Sequence, residues 1–256
     1  MKYSTLARRC AVVVPCFNEA QRLQVQTFVD FLKETPSGFH LIFVDDGSRD
    51  NTLESLGQIK VGAGESAFVL ARSPNGGKAE AVRFGMNYAL DNLDPDVVGF
   101  WDADLATPLE AIGDLLSEME ESEAIQMVFG ARIKLLGRHV ERKLERHYLG
   151  RVFATVVSNV LDLAVYDTQC GAKLFRATPD LREVLREPFI SRWIFDVEII
   201  ARFIRLRGVA WVHEAIYEYP LKRWEDVAGS KVKAGDFVKA AGEIVAIYQR
   251  YLRKSG

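Results

Sequence analysis

Asp102-Ala103-Asp104 sets two carboxylates one residue apart, directly after the apolar run Val97–Trp101. Mg²⁺ and Mn²⁺ prefer oxygen ligands and keep positions open for phosphate, so such a pair at a strand end can hold a divalent cation against a diphosphate. A D-x-D triplet is weak alone, because surface carboxylates are usually only solvated; its place after a buried run gives it weight. Asp45-Asp46-Gly47-Ser48 follows Leu41–Val44 in the same way. One carboxylate there can accept from a base or ribose while Gly47 permits a tight turn, and the competing reading is an ordinary Asx turn. Asn18-Glu19, after the first apolar run, would line the same rim. Gly76-Gly77-Lys78 opens a helix whose free N–H groups favour an anion, with Lys78 adding charge.

Three look-alikes fail. A Walker A loop would need glycine at Arg72 and Ser or Thr at Ala79. Gly62-Ala63-Gly64-Glu65-Ser66-Ala67 precedes a strand where a dinucleotide fingerprint comes after one. A phosphohydrolase with Asp102 as nucleophile would have its D-x-D on the first strand and its further acidic pair later, whereas Asp45-Asp46 comes before.

The elements that must carry these groups are short apolar runs alternating with amphipathic stretches, the pattern of βαβ units in a mostly parallel sheet flanked by helices. Predicted strands are Ala11–Pro15, Leu41–Val44, Ala67–Leu70, Val97–Trp101 and Met127–Gly130. Ligands in such sheets bind beyond the carboxyl ends of the strands. Those ends read PCFNE, DDGSRDN, ARSPNGGK, DADLATP and ARIK, five polar strings in succession. With no internal repeat or low-complexity linker, the chain reads as one α/β domain over 1–256. Its part to about residue 135 carries these strand ends and would bind the diphosphate-bearing ligand, and the remainder, from about 136, is a C-terminal elaboration.

The 256 residues carry 33 Lys and Arg against 35 Asp and Glu, a net charge of −2, and 48% hydrophobic residues. That is a globular composition with a full core, and it argues against a nucleic-acid partner, which a broad basic excess would mark. The longest stretches without a charged residue hold ten residues, where a membrane span needs about 20. Cys10, Cys16 and Cys170 are odd in number and lack metal spacing, so a reducing, cytoplasmic compartment is expected. From Arg132 to Arg151 seven basic residues face two acidic ones. Leu149, Val152, Phe153, Val156, Val157, Val160 and Leu161 come next at helical spacing. They make either a core-facing helix with a solvated basic half or a helix at an anionic membrane surface. A second stripe of Phe237, Ala241, Ile244, Val245, Tyr248 and Leu252 reads as packing against the sheet. A monomer and a homodimer are both compatible with this composition.

Through VVVPCFNEAQRL, FVDDGSRDNT, NGGKAEAVRFGM, WDADLATP and FGAR, in order, the chain resembles the inverting family-2 glycosyltransferases of GT-A (Rossmann-like) fold over nearly its whole length. Through ERKLERHYLGRVF, DTQCGAKLF, RWIFDVEI and RWEDVAGSKV it is similar to their dolichyl-phosphate β-glucosyltransferase branch, with the dolichyl-phosphate mannose synthases next. The resemblance implies a donor site of Pro15, Asn18, Glu19, Asp45, Asp46, Lys78, Asp102 and Ala103. Asp102 and Asp104 would hold Mg²⁺ or Mn²⁺, Asp104 first, and Arg132 would approach the donor or acceptor phosphate. The donor would be UDP-glucose or GDP-mannose and the acceptor a polyprenyl phosphate at a membrane surface, reached peripherally from the cytoplasmic face.

The implied reaction is a single displacement that inverts the anomeric carbon. A hydroxyl acceptor would need a base; a polyprenyl phosphate is already ionised near neutrality, its second pKa being about 6. Arg132, Arg138, Arg142 and Lys231 would then matter most, as phosphate holders. If there is a base, Asp167 leads, with Asp196 and Glu198 behind it, and Asp167 reads equally as a turn or N-cap residue. Asp196 and Glu198, two apart, fall on different helix faces. Cys170 reads as packing; Arg192 and Trp193 read as either sugar floor or helix start. Two departures stand out: Ala172 where the branch usually has Phe, and no N-terminal membrane helix where the eukaryotic branch typically has one.

Overall fold

The computed structural model describes residues 9–141, 144–227 and 234–253, without the side chains of 144–149 and 234–238. Five runs rich in Val, Ile and Phe become strands β1 (Cys10–Cys16), β2 (Phe39–Asp45), β3 (Ala67–Ala71), β4 (Val97–Trp101) and β5 (Met127–Ala131). Each lies within two residues of its predicted span. A continuous apolar run must be covered on both faces, which is the condition of a parallel strand. Helices α1 (Val25–Glu34), α2 (Thr52–Ala63), α3 (Lys78–Asn92) and α4 (Ala111–Glu121) provide the covering.

The seven-stranded sheet has the order β3-β2-β1-β4-β7-β5-β8. β7 (Ala172–Arg176) is antiparallel to both neighbours, pairing Trp101 with Ala172 and Phe129 with Lys173, while β8 (Ile216–Pro220) runs parallel to β5 at the edge. A parallel pair, β6 (His139–Glu141) with β9 (Arg223–Glu225), forms a second sheet. Successive residues of a strand face opposite sides. Val12, Val14, Leu41 and Phe43 therefore enter one core with α1, α2 and α4, and Ala11, Val13, Ile42 and Val44 enter the other with α3 and α7 (Phe195–Arg207). α3 lies unusually close to the sheet: a Cβ on Gly85 would stand 2.6 Å from Val13 Cγ1 and 2.9 Å from Val44 Cγ2. This fixes the helix that begins with Lys78.

The two apolar stripes are narrower than their spacing implies. On α5 (Leu144–Leu161), Val157 and Leu161 are buried and Phe153 and Val160 pack beside them, but Val152 is 66% exposed and Val156 44%. On α9 (Ala234–Ile247) the expected face is rotated. Ala240, Ile244 and Ile247 are buried in the core that α3 and α7 share with the sheet, on the side where the helix meets α7, while Ala241, Val245 and Tyr248 are exposed. Phe237 and Leu149 have no described side chain. No helix of the described residues is long and apolar enough to cross a membrane.

Candidate active site

The site is built where β4 stops. The amide of Asp102 donates to Gly171 O at 2.9 Å, tying the end of β4 to the residue before β7. Trp101 Nε1 donates to Thr107 O at 2.8 Å, and Leu105 takes φ 54°, so Asp102-Ala103-Asp104 forms a closed turn. Ala103 is buried. Asp104 Oδ1 accepts from the Ala106 amide at 3.1 Å. Burial, with the charge of Asp102 beside it, pushes the Asp104 carboxyl above its ordinary value. Two hard oxygen donors that disfavour each other's charge fit a divalent cation, which relieves both. Among the described residues no group of three or more His, Cys, Asp or Glu could enclose an ion. The remaining ligands would have to come from substrate and water, as with Mg²⁺ held by one or two carboxylates and phosphates. Facing the pair, Lys78 Nζ lies 2.5 Å from Asp102 Oδ1.

The rim over β1 to β3 divides the predicted donor residues by role. Asp46 is buried and its carboxylate accepts from Arg72 Nη1 at 2.7 Å and from the amides of Gly76 and Gly77 at 2.9 and 2.6 Å. It shapes the loop before Lys78. Arg192 braces that loop from the other side, donating from Nε to Gly76 O at 3.0 Å and from Nη2 to Asn75 O at 3.2 Å. Asp45 differs: Oδ2 takes the Ser48 amide at 3.3 Å, whereas Oδ1 is buried and meets no donor among the described residues. A buried acceptor without a donor is costly unless a ligand supplies one. Asn18, at φ 52°, accepts the Arg49 amide at 2.8 Å through Oδ1. Glu19 pairs with Arg22 at 2.6 Å, and Pro15 is half-buried in β1.

On the acceptor side Asp167 is buried and holds Arg132 through two oxygens, Nε to Oδ2 at 2.5 Å and Nη2 to Oδ1 at 2.6 Å, with the Arg132 amide on Oδ2 at 3.1 Å. Asp167 and Asp102 together keep the guanidinium charged against its burial. The Trp224 ring stands 5.4 Å from it. Glu218 on β8 anchors the turn by accepting the amides of Tyr166 at 2.8 Å and Asp167 at 2.6 Å. Lys173, wholly buried in β7, pairs with Asp196 at 2.7 Å. Glu198 turns away, accepting from Arg202 at 2.7 Å, the Ile190 amide at 2.8 Å and Tyr251 OH at 3.0 Å. Cys170 is buried, and burial pushes its thiol up to about 11, so it stays protonated as a packing residue. Arg138 is half-buried before β6, its amide on Leu135 O at 3.1 Å. Arg142 and Lys231 lie outside the described residues.

Asp102, Asp104, Lys78, Arg132, Asp167 and Asp196 thus converge at one end of the sheet. Sequence reasoning passed over Gly171, Lys173, Arg72 and Glu218. Lys173 alone carried a signal, as a charge inside the apolar run of a strand.

An α/β sheet with one reversed strand, an acidic pair at the end of a central parallel strand and a lysine at a helix start opposite it defines a GT-A nucleotide-sugar transferase. The chain belongs to Glycosyl transferase family 2, whose sequence profile matches residues 11–181. It is 32% identical to the dolichyl-phosphate beta-glucosyltransferase of Saccharomyces cerevisiae over 94% of this chain and 75% of that one. The Drosophila melanogaster enzyme of the same name is 30% identical, with the same coverage. Among solved structures, glucosyl-3-phosphoglycerate synthase from Mycobacterium tuberculosis, in complex with Mn²⁺, UDP-glucose and phosphoglyceric acid, superposes with a TM-score of 0.66. At 19% identity over all of this chain and 84% of that one, it speaks for the fold.

Proposed function

We propose that this glycosyltransferase moves glucose from UDP-glucose to a polyprenyl phosphate with inversion at the anomeric carbon, working peripherally at the cytoplasmic face of a membrane with Mg²⁺ or Mn²⁺. The observation that carries the reading is the clamp on Asp167. A carboxylate held through both oxygens by a buried guanidinium is a poor base, and Asp196 is ion-paired through one oxygen with the buried Lys173 ammonium. A site whose acceptor-side carboxylates are both paired suits a nucleophile that arrives ionised. Arg132 keeps Nη1 without a partner among the described residues, which leaves a donor for an acceptor phosphate. Asp45 Oδ1 offers the buried acceptor that a ribose hydroxyl or base N–H would satisfy. The relatives' names agree with a lipid phosphate acceptor.

Asp102 and Asp104 would hold the cation, with Asp104 as the first direct ligand. When bound, it supplies Lewis-acid stabilisation of the departing nucleoside diphosphate. Lys78, braced by Asp46 and Arg192 through the loop, holds positive charge beside the same diphosphate. The test is incubation with radiolabelled UDP-glucose, Mn²⁺ and a polyprenyl phosphate, with labelled GDP-mannose in parallel. Label in the organic phase from UDP-glucose alone is expected. Label from GDP-mannose alone would reassign the donor, and no lipid-linked label from either would overturn the acceptor.

A further inference from the structure

Lys78 stands where a cation is wanted. Its ammonium is 2.5 Å from Asp102 Oδ1, on a carboxylate that also faces the cation position, and both side chains are 36% exposed, so water and ions reach the pair. The ammonium and a divalent ion cannot both bind that carboxylate at full strength, because two cations so close repel. Nor is Lys78 loosely placed: α3 is pressed on the sheet at Gly85, and the preceding loop is held by Asp46 and Arg192. A second anion lies within its field. Asp196 adds to the charge that favours the Lys78 ammonium, and Asp196 is itself fixed by Lys173. The ring of Phe100 neighbours both lysines, 5.9 Å from Lys78 Nζ and 5.3 Å from Lys173 Nζ.

We propose that Lys78 is a placeholder for the divalent cation, neutralising Asp102 in the unloaded site and giving it up to the cation when the nucleotide arrives to take the ammonium in exchange. This rests on the donor reading above and adds a second duty for Lys78. Cation alone must displace the ammonium from Asp102; cation with nucleotide need not leave that ammonium without an anion. The two ligands therefore help each other beyond their direct bonds, and by linkage the help is mutual.

Mn²⁺ binding in the absence of nucleotide separates the placeholder from a plain phosphate contact. Lys78→Met is expected to bind Mn²⁺ alone about fivefold tighter than wild type, the scale of a part-exposed ion pair, while binding UDP more weakly at saturating Mn²⁺. Lys78→Arg, which keeps the charge, should bind Mn²⁺ alone as wild type does. A folded Lys78→Met with unchanged or weaker Mn²⁺ affinity would overturn the inference and leave the donor reading intact. Wild type that binds no UDP with Mn²⁺ would overturn both. A measurement without any variant guards against misfolding: the Lys78 Nζ resonance should shift when Mg²⁺ and UDP are added together. A resonance that stays in place while UDP binds would also refute the exchange.

Discussion

Gly171 and Asp102 occupy one volume: a Cβ built on Gly171 would lie 1.9 Å from Asp102 Oδ2, inside any contact distance. Gly171→Ala must therefore drive the carboxylate away from the cation position. A displacement of about 1 Å costs catalysis about a hundredfold, so turnover and Mn²⁺ affinity should fall together by that order. Gly57→Ala is the control, since a Cβ there meets nothing within 4 Å. It should keep full activity and raise stability by about 0.5–1 kcal/mol, the helix-interior difference between Gly and Ala.

Asp167→Asn distinguishes a clamp from a base. Removing one partner of a buried ion pair strands the other, at about 3–5 kcal/mol, and urea denaturation should show a loss of that size. In steady-state kinetics the clamp reading expects KM for the polyprenyl phosphate to rise more than kcat falls. A fall in kcat at constant KM would make Asp167 the base. Arg132→Lys should mimic the KM effect, because an ammonium cannot reproduce the two-oxygen fork.

Glu218 makes stability depend on pH in one direction. Burial holds its carboxyl above the ordinary carboxylate value, Asp167 adds to the shift, and the two amides it accepts oppose it. A group with a raised native value contributes stability below its unfolded pKa and loses it as pH rises through the native one. The Tm of wild type relative to Glu218→Gln should accordingly be highest in acid and decline as pH climbs past the ordinary glutamate value. A difference independent of pH would contradict the assignment.

Fold and site were legible to unequal degrees. β1 to β5 announced themselves because burial on both faces demands unbroken apolar runs, and the residues after each strand are polar for a reason of topology. β7 stayed hidden: Ala172–Arg176 contains Lys173, a buried lysine made tolerable by the distant Asp196 and by the Cys170 carbonyl it donates to. Asp45 and Asp46 look interchangeable in the sequence. Their roles differ because one points at a loop thirty residues further on and the other keeps an oxygen without a donor. The stripes on α5 and α9 were read from spacing, which says that a helix has an apolar face but not how wide a neighbour covers it.

β7 runs against its neighbours, so the residue before its start meets the end of β4. Biosynthesis proceeds the other way, from low numbers to high. A nascent chain carries the acidic pair and its lysine long before Gly171 exists to receive the Asp102 amide, and before Pro220 completes the strand beside β5. Such a chain holds the carboxylates without their cradle, and the proposed cation site is complete only after nearly the whole sheet has been made.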